Sequence, residues 1–191
     1  VLDPFAGGSV RGIVASRLGF RYHGIDLSKE QIEANIEQGV EICNEAHMPT
    51  PDWRNGDSVN IGSVFAGLEA DFIFSCPPYH NIEVYSEDPR DLSTMSYDEF
   101  VEQYCAIIME ATKLLKPNRF ACFVVADLRD KKTGMYRGFP WDTVRAFRLA
   151  GLELYNEAVL VTVTGSLPIR AGGQLSLIHI SEPTRQAESR M

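Results

Sequence analysis

The sharpest chemistry in the chain lies in Phe74-Ser75-Cys76-Pro77-Pro78-Tyr79, at the end of an apolar run that begins at residue 70. Two successive prolines fix the backbone and remove two amide donors, so nearby carbonyls are left facing outward as acceptors. The aromatic ring that follows offers a face on which a flat base can stack. Such a corner suits a planar substrate bearing an amino group. That group donates to the fixed carbonyls, its lone pair loses conjugation with the ring, and the nitrogen becomes nucleophilic toward a methyl sulfonium. A rigid strand-to-loop corner with no substrate uses the same residues.

A second constellation, Asp3-Pro4-Phe5-Ala6-Gly7-Gly8-Ser9, stands between a strand-like and a helix-like segment. Glycines there let the backbone approach a ligand closely, and the start of the helix supplies unpaired N–H donors. The turn is neither GxGxxG nor GxxxxGK[ST], and a plain tight turn reads the same way. Asp26 follows 23 residues after Asp3, at the end of the next strand-like segment. A carboxylate in that place can accept from both ribose hydroxyls of an adenosine cofactor, or it can be a surface acid before a helix cap. Asp57, in Asn55-Gly56-Asp57-Ser58, has two readings of equal weight: an acceptor for an adenine amino group, or the cap of the next helix.

The elements that must position these residues alternate between strand and helix. Residues 1–2 look like the tail of a strand. Val10, Ile13, Val14 and Leu18 have helical spacing, closed by Gly19. A short strand over 21–27 leads to Ser28, whose partner three residues on, Gln31, predicts a capping box. The helix behind it reaches about His47. Residues 53–57 read as a third strand, 59–68 as a weaker helix and 70–75 as a buried strand. A polar loop without periodicity covers 80–96, and a long helix over 97–115 is stopped by Pro117. A strand over 119–128, a loop over 130–138, a helix over 141–150 and a β-branched strand over 154–164 complete the pattern. Strict alternation predicts an α/β fold, a doubly wound, mostly parallel sheet with right-handed crossovers. Ligands in such sheets bind beyond the carboxyl ends of the strands, near the switch in strand order.

DPFAGGS followed by FSCPPY resembles the DNA amino-methyltransferases, which form N6-methyladenine or N4-methylcytosine. The stretch 85–95 (YSEDPRDLSTM) is similar to the DNA modification methylases of phages and prophages. The resemblance covers nearly all of residues 1–174. It implies a class I S-adenosylmethionine-dependent methyltransferase fold, Rossmann-like and truncated at both ends, with S-adenosyl-L-methionine as cofactor and no metal. By position, Asp3, Phe5, Gly7 and Gly8 would line the methionine pocket, with Pro4, Ala6 and Ser9 completing the turn. Asp26, with Leu27 beside it, would hold the ribose, and Asp57 would meet the adenine. Cys76, Pro77, Pro78 and Tyr79 would hold the target base. The family places Asn, Asp or Ser before Pro-Pro, whereas this chain has Cys76, and a thiol is a poor hydrogen-bond partner. Ser75 or backbone carbonyls would then take over, or activity is weak.

The implied partner is DNA, as a duplex with a flipped base or as a single strand. About 65 residues separate the two motifs, too few for a recognition domain between them. Recognition is therefore expected from loops, from missing flanks or from a separate domain or subunit. Arg11, Arg90, Arg129, Lys131, Lys132, Arg137 and Arg170 are candidate backbone contacts. Two other classes remain open. One is a methyltransferase acting on RNA guanine or protein glutamine, where Pro-Pro-aromatic corners also serve. The other is a nucleotide-binding module without catalysis.

The net charge of -8 argues against a surface that grips nucleic acid throughout, though not against a local basic patch. No apolar run approaches the ~18 residues of a membrane helix, no signal peptide opens the chain, and a cytoplasmic protein is expected. Cys43, Cys76, Cys105 and Cys122 form no CxxC pair and are expected to be reduced thiols. Residues 175–185 (LSLIHISEPTR) look like an in-frame translation of a transposase sequencing adapter. Residues 1–174 are therefore expected to form a methyltransferase domain, as a fragment, and 175–191 a non-native tail.

Overall fold

A computed structural model describes residues 1–82 and 84–161 of the chain. Arg170, the tail 175–191 and the last part of the strand expected over 154–164 lie outside the described residues. Val1–Leu154 forms one compact unit of the chain.

This unit alternates strand and helix: β1 (Leu2–Asp3), α1 (Val10–Arg17), β2 (His23–Asp26), α2 (Lys29–Glu45), β3 (Asp52–Asn55), α3 (Ile61–Val64), β4 (Ala70–Ser75), α4 (Tyr97–Lys113), β5 (Leu115–Phe123) and α5 (Phe139–Leu149). The strands form one sheet in the order β3-β2-β1-β4-β5, and every pairing is parallel. The order reverses between β1 and β4, which puts the two motif-bearing strands side by side at the switch point, with Leu2 opposite Ile73.

The elements expected up to residue 150 are present with shifted ends. The helix expected over 59–68 is a 3-10 turn at Ser58–Asn60 followed by the single turn α3. Short apolar spacing there did not separate one turn from three. The strand expected over 119–128 begins earlier, at Leu115, because Leu115 pairs with Ala70. A register shift between Ala70 and Phe72 then takes up the Pro117-Asn118 kink, where Asn118 has φ 57°. Residues 154–161 of the last expected strand carry no strand structure. A β-branched run reports compatibility with a half-buried pleat, and tertiary context decides whether it becomes a strand.

Local chemistry explains the helix starts. Ser96 and Glu99 form a full capping box at α4. At α2 the box is half formed. The Ser28 hydroxyl accepts from the Gln31 amide at 3.2 Å, but the Gln31 side chain turns to Asn35 instead.

Three apolar clusters hold the sheet. Phe100, Tyr104 and Phe139 join α4 and α5 to one face, with Phe100 and Tyr104 stacked at 5.7 Å. Leu2, Ile25, Ile61 and Ile73 fill the centre. Trp53 and Tyr22 pack beneath α1 and α2. Trp53 fits because Gly12 and Gly39 lack side chains: a Cβ on either would lie 2.4 Å from its ring. Among the described residues no helix is long and apolar enough to cross a membrane.

Candidate active site

The loops that follow β1, β2, β3 and β4 leave the same edge of the sheet, because the strands are parallel. Asp3, Asp26, Asp57 and Cys76 thus meet at one end of the molecule although 73 positions separate the first from the last.

Asp3 organises the first loop. It is fully buried, and its carboxylate accepts from Arg11 Nε at 2.7 Å, Tyr22 Oη at 2.7 Å, the Phe5 amide at 3.1 Å and the Ser75 hydroxyl. Arg11 also donates to the carbonyls of Phe5 and Ala6. Burial alone would lower the pKa of the Arg11 guanidinium. The attraction of Asp3 outweighs it, and the net shift is upward. Burial pushes the Tyr22 phenol well up, so it remains a neutral donor. Pro4 is fully buried, and its carbonyl accepts from the Ser58 hydroxyl at 2.6 Å, which ties the loop after β3 to the loop after β1. Phe5 stacks on Tyr104 at 5.9 Å, and the Ala6 amide donates to the Ile25 carbonyl at 3.0 Å.

Gly7 is gripped at both ends of its peptide. Its amide donates to Asp26 Oδ2 at 2.8 Å, and its carbonyl accepts from Asn35 Nδ2 at 2.6 Å. Asn35 is buried and is itself fixed by Gln31 at 2.9 Å. Gly7 has φ 51°, a conformation glycine adopts without strain. A Cβ added to Gly8 would meet nothing within 4 Å, so this turn faces open space. Ser9 is buried, and its hydroxyl donates to Gln38.

Asp26 ends β2. Its Oδ2 takes the Gly7 amide and its Oδ1 the Ser28 amide at 2.9 Å, which leaves a further lone pair on each oxygen. Burial raises its pKa, and the two amides partly offset that shift. The Leu27 carbonyl accepts from Asn55 Nδ2 at 2.8 Å, joining β2 to β3. Asp57 caps the 3-10 turn by accepting from the Val59 amide at 3.0 Å. It also lines a cavity of about 210 Å³ with Val59, Arg90, Leu92, Met95 and Ile107.

The β4 corner is bonded sparingly. Ser75 is fully buried, its hydroxyl turned to Asp3, so it positions the two loops against each other. Pro77 is fully buried, and Cys76, Pro78 and Tyr79 are half-buried. Cys76 Sγ lies 3.8 Å from Tyr79 Oη, and Tyr79 Oη donates a long bond, 3.4 Å, to the Val124 carbonyl. The Tyr79 ring meets Phe139 edge-on at 6.3 Å. Burial pushes both the Cys76 thiol and the Tyr79 phenol up, so both are neutral at physiological pH. Among the described residues, no hydrogen bond is made to the carbonyls of Cys76, Pro77 or Pro78.

Arg11, Tyr22, Asn35, Ser58 and His80 were not singled out for this site by sequence. His80 follows Tyr79 with φ 45° and is buried. Its Nε2 lies 3.0 Å from the Met95 carbonyl, and Tyr97 and Phe100 meet its ring edge-on. Its position next to the Pro-Pro-Tyr corner was the available signal. Residues 84–96 are organised around Asp91, which accepts from the Ser93 amide and hydroxyl and from the Ser86 hydroxyl. Of the expected backbone contacts, Arg11 is engaged by Asp3 and Arg90 pairs with Asp88 at 2.6 Å.

No family model matches the sequence, and no curated protein matches it. Solved structures do. Magnesium protoporphyrin IX methyltransferase (ChlM) from Synechocystis PCC 6803 with bound SAM superposes with a TM-score of 0.56 at 14% identity, covering 85% of this chain and 63% of that one. The same enzyme with bound SAH gives 0.54 at 14% identity, covering 84% and 67%. TrmN from Thermus thermophilus gives 0.48 at 19% identity, covering 64% of this chain and 31% of that chain. The chain thus spans less than two thirds of the length of TrmN and of SAM-bound ChlM. The likeness to ChlM shows the fold, which is that of the class I S-adenosylmethionine-dependent methyltransferases.

Proposed function

We propose that this chain binds S-adenosyl-L-methionine and methylates the exocyclic amino group of adenine (N6) or cytosine (N4) in DNA. The observation that carries the reading is the junction of the two motifs. Ser75, immediately before the Cys76-Pro77-Pro78-Tyr79 corner, donates its hydroxyl to Asp3 at the root of the glycine turn.

The residues present fit the cofactor. Gly8 faces open space, Asp26 keeps lone pairs for a ribose diol, and Asp57 lines a cavity one strand further along. The bound cofactor supplies an electrophilic methyl group. Asp26 would orient the sugar by accepting from its hydroxyls, and Asp57 would accept from the adenine amino group. The carbonyls of the Cys76-Pro77-Pro78 corner are acceptors for the amino group of the target base, and the Tyr79 ring stacks on that base. Accepting from the amino group holds its lone pair out of conjugation and aims it. The neutral Cys76 thiol adds little to this hold, so backbone carbonyls carry it.

The test is transfer of label from tritiated S-adenosylmethionine to unmethylated DNA, followed by nucleoside analysis. Label in N6-methyladenine or N4-methylcytosine is the expected result. Label in RNA or protein instead, or cofactor binding without transfer, would overturn the assignment to DNA.

A further inference from the structure

The chain is acidic overall, but its charge is not evenly spread. Residues 129–148 hold six Lys or Arg and two Asp or Glu, net +4, while the rest of the chain holds twelve and twenty-four, net -12. The basic stretch also exposes large apolar side chains: Met135 at 69%, Tyr136 at 61% and Trp141 at 74%.

This stretch adjoins the β4 corner. Tyr79 bonds the Val124 carbonyl, where β5 ends, and its ring meets Phe139, where α5 begins. The segment between them therefore starts and finishes against the proposed base-stacking residue. It is also preorganised. Arg129 and Tyr136 form an antiparallel bridge, and the Asp130 amide donates to the Met135 carbonyl at 2.9 Å. Asp130 accepts from the amides of Lys132 and Thr133. The Arg129 guanidinium lies 3.9 Å over the Tyr136 ring, which leaves a flat cation-aromatic pair at the surface.

We propose that the turn at residues 129–137 and the exposed ring of Trp141 form a docking platform for the unpaired DNA strand that carries the target base. The proposal rests on the methyltransferase reading and extends it to the form of the substrate. Exposed rings interleaved with cations hold unpaired bases by stacking, since every base has a π-face, and hold the backbone by charge. A duplex hides its base faces. An unpaired strand offers them to the exposed rings.

The test is fluorescence anisotropy of a labelled oligonucleotide titrated with the full chain. The probes are the unpaired DNA strand, the same strand in a duplex, and RNA of the same sequence. The unpaired DNA is expected to bind about tenfold more tightly than the duplex. Trp141→Ala is expected to weaken it about tenfold, with Trp141→Phe restoring most of the loss. Lys132→Gln is expected to flatten the log–log salt dependence by about 0.7. Unchanged binding by Trp141→Ala and Tyr136→Ala, or tighter binding of the duplex or of the RNA, overturns the platform. Methyl transfer measured in parallel separates the two claims. Transfer to DNA that ignores Trp141→Ala sinks the platform and keeps the enzyme. Strand binding through Trp141 without transfer sinks the enzyme and keeps the platform.

Discussion

The loops that leave the neighbouring strands β1 and β4 are built in opposite ways. Residues 3–9 are bonded at almost every turn: Asp3 takes four donors, Arg11 closes on two carbonyls, and Gly7 is held by Asp26 on one side and Asn35 on the other. Residues 76–79 are held mainly by packing, with one weak thiol contact, one long phenol bond and the Tyr79 carbonyl accepting from the Ile82 amide at 3.1 Å. On the proposed reading the rigid loop is the cofactor's, which is the same at every turnover and gains from preorganisation, and the open corner receives a base drawn out of a strand.

The largest test of this contrast is Asp3→Ala, which strands Arg11, Tyr22, Ser75 and the Phe5 amide together. Loss of one partner of such a network costs about 3 kcal/mol, a fall of roughly 10 °C in Tm for a chain of this size. Thermal unfolding followed by circular dichroism measures it, and a shift under about 3 °C would mean that the first loop is no more rigid than the second.

Tyr79→Ala probes the other corner. It is expected to lose less stability than Asp3→Ala but to lower kcat/KM for methyl transfer by about 10- to 100-fold through lost stacking. Tyr79→Phe should stay within about threefold of the parent, because the 3.4 Å phenol bond is weak. An equal loss in both variants would replace stacking by the hydroxyl as the working group.

Cys76→Asn sharpens the comparison by adding a strong acceptor where the thiol now stands. A rise of about tenfold in kcat is expected, the worth of one added hydrogen bond in the transition state. A lower kcat would show that the backbone carbonyls already complete the site and that the larger side chain displaces the base.

The smallest effect is on pH. Burial raises the pKa of Asp26, so its carboxylate takes up a proton at a higher pH than an ordinary aspartate. In the proposed site the ionised form accepts from the ribose hydroxyls, so cofactor affinity is expected above that pKa and is expected to be lost as the pH falls through it. Calorimetric titration between about pH 4 and pH 7 reads the loss, and Asp26→Asn should flatten it.

Both corners were visible in the sequence because each depends on residue types that act locally. Proline fixes its own backbone, glycine permits Gly7 its φ of 51°, and Ser28 accepts from the amide three residues on. Arg11 reads from the sequence as a candidate contact to a nucleic-acid backbone, and Tyr22 and Asn35 carry no local signal. Their roles exist because the sheet order carries them to Asp3 and Gly7. The same holds for Asp57, whose two readings had equal weight: it caps its own turn, and the fold also places it at the wall of a cavity.

By itself, then, the sequence determined the alternation of elements, the turn after β1 and the corner after β4, since hydrophobic period and backbone restriction operate over a few residues. Tertiary structure decided which strands are neighbours. It placed β1 beside β4, turned the Ser75 hydroxyl onto Asp3, and left residues 154–161 without strand structure despite their β-branched run. Strand order and the pairing of buried polar groups depend on contacts between residues far apart in the chain, and these form only when the whole sheet closes on its core.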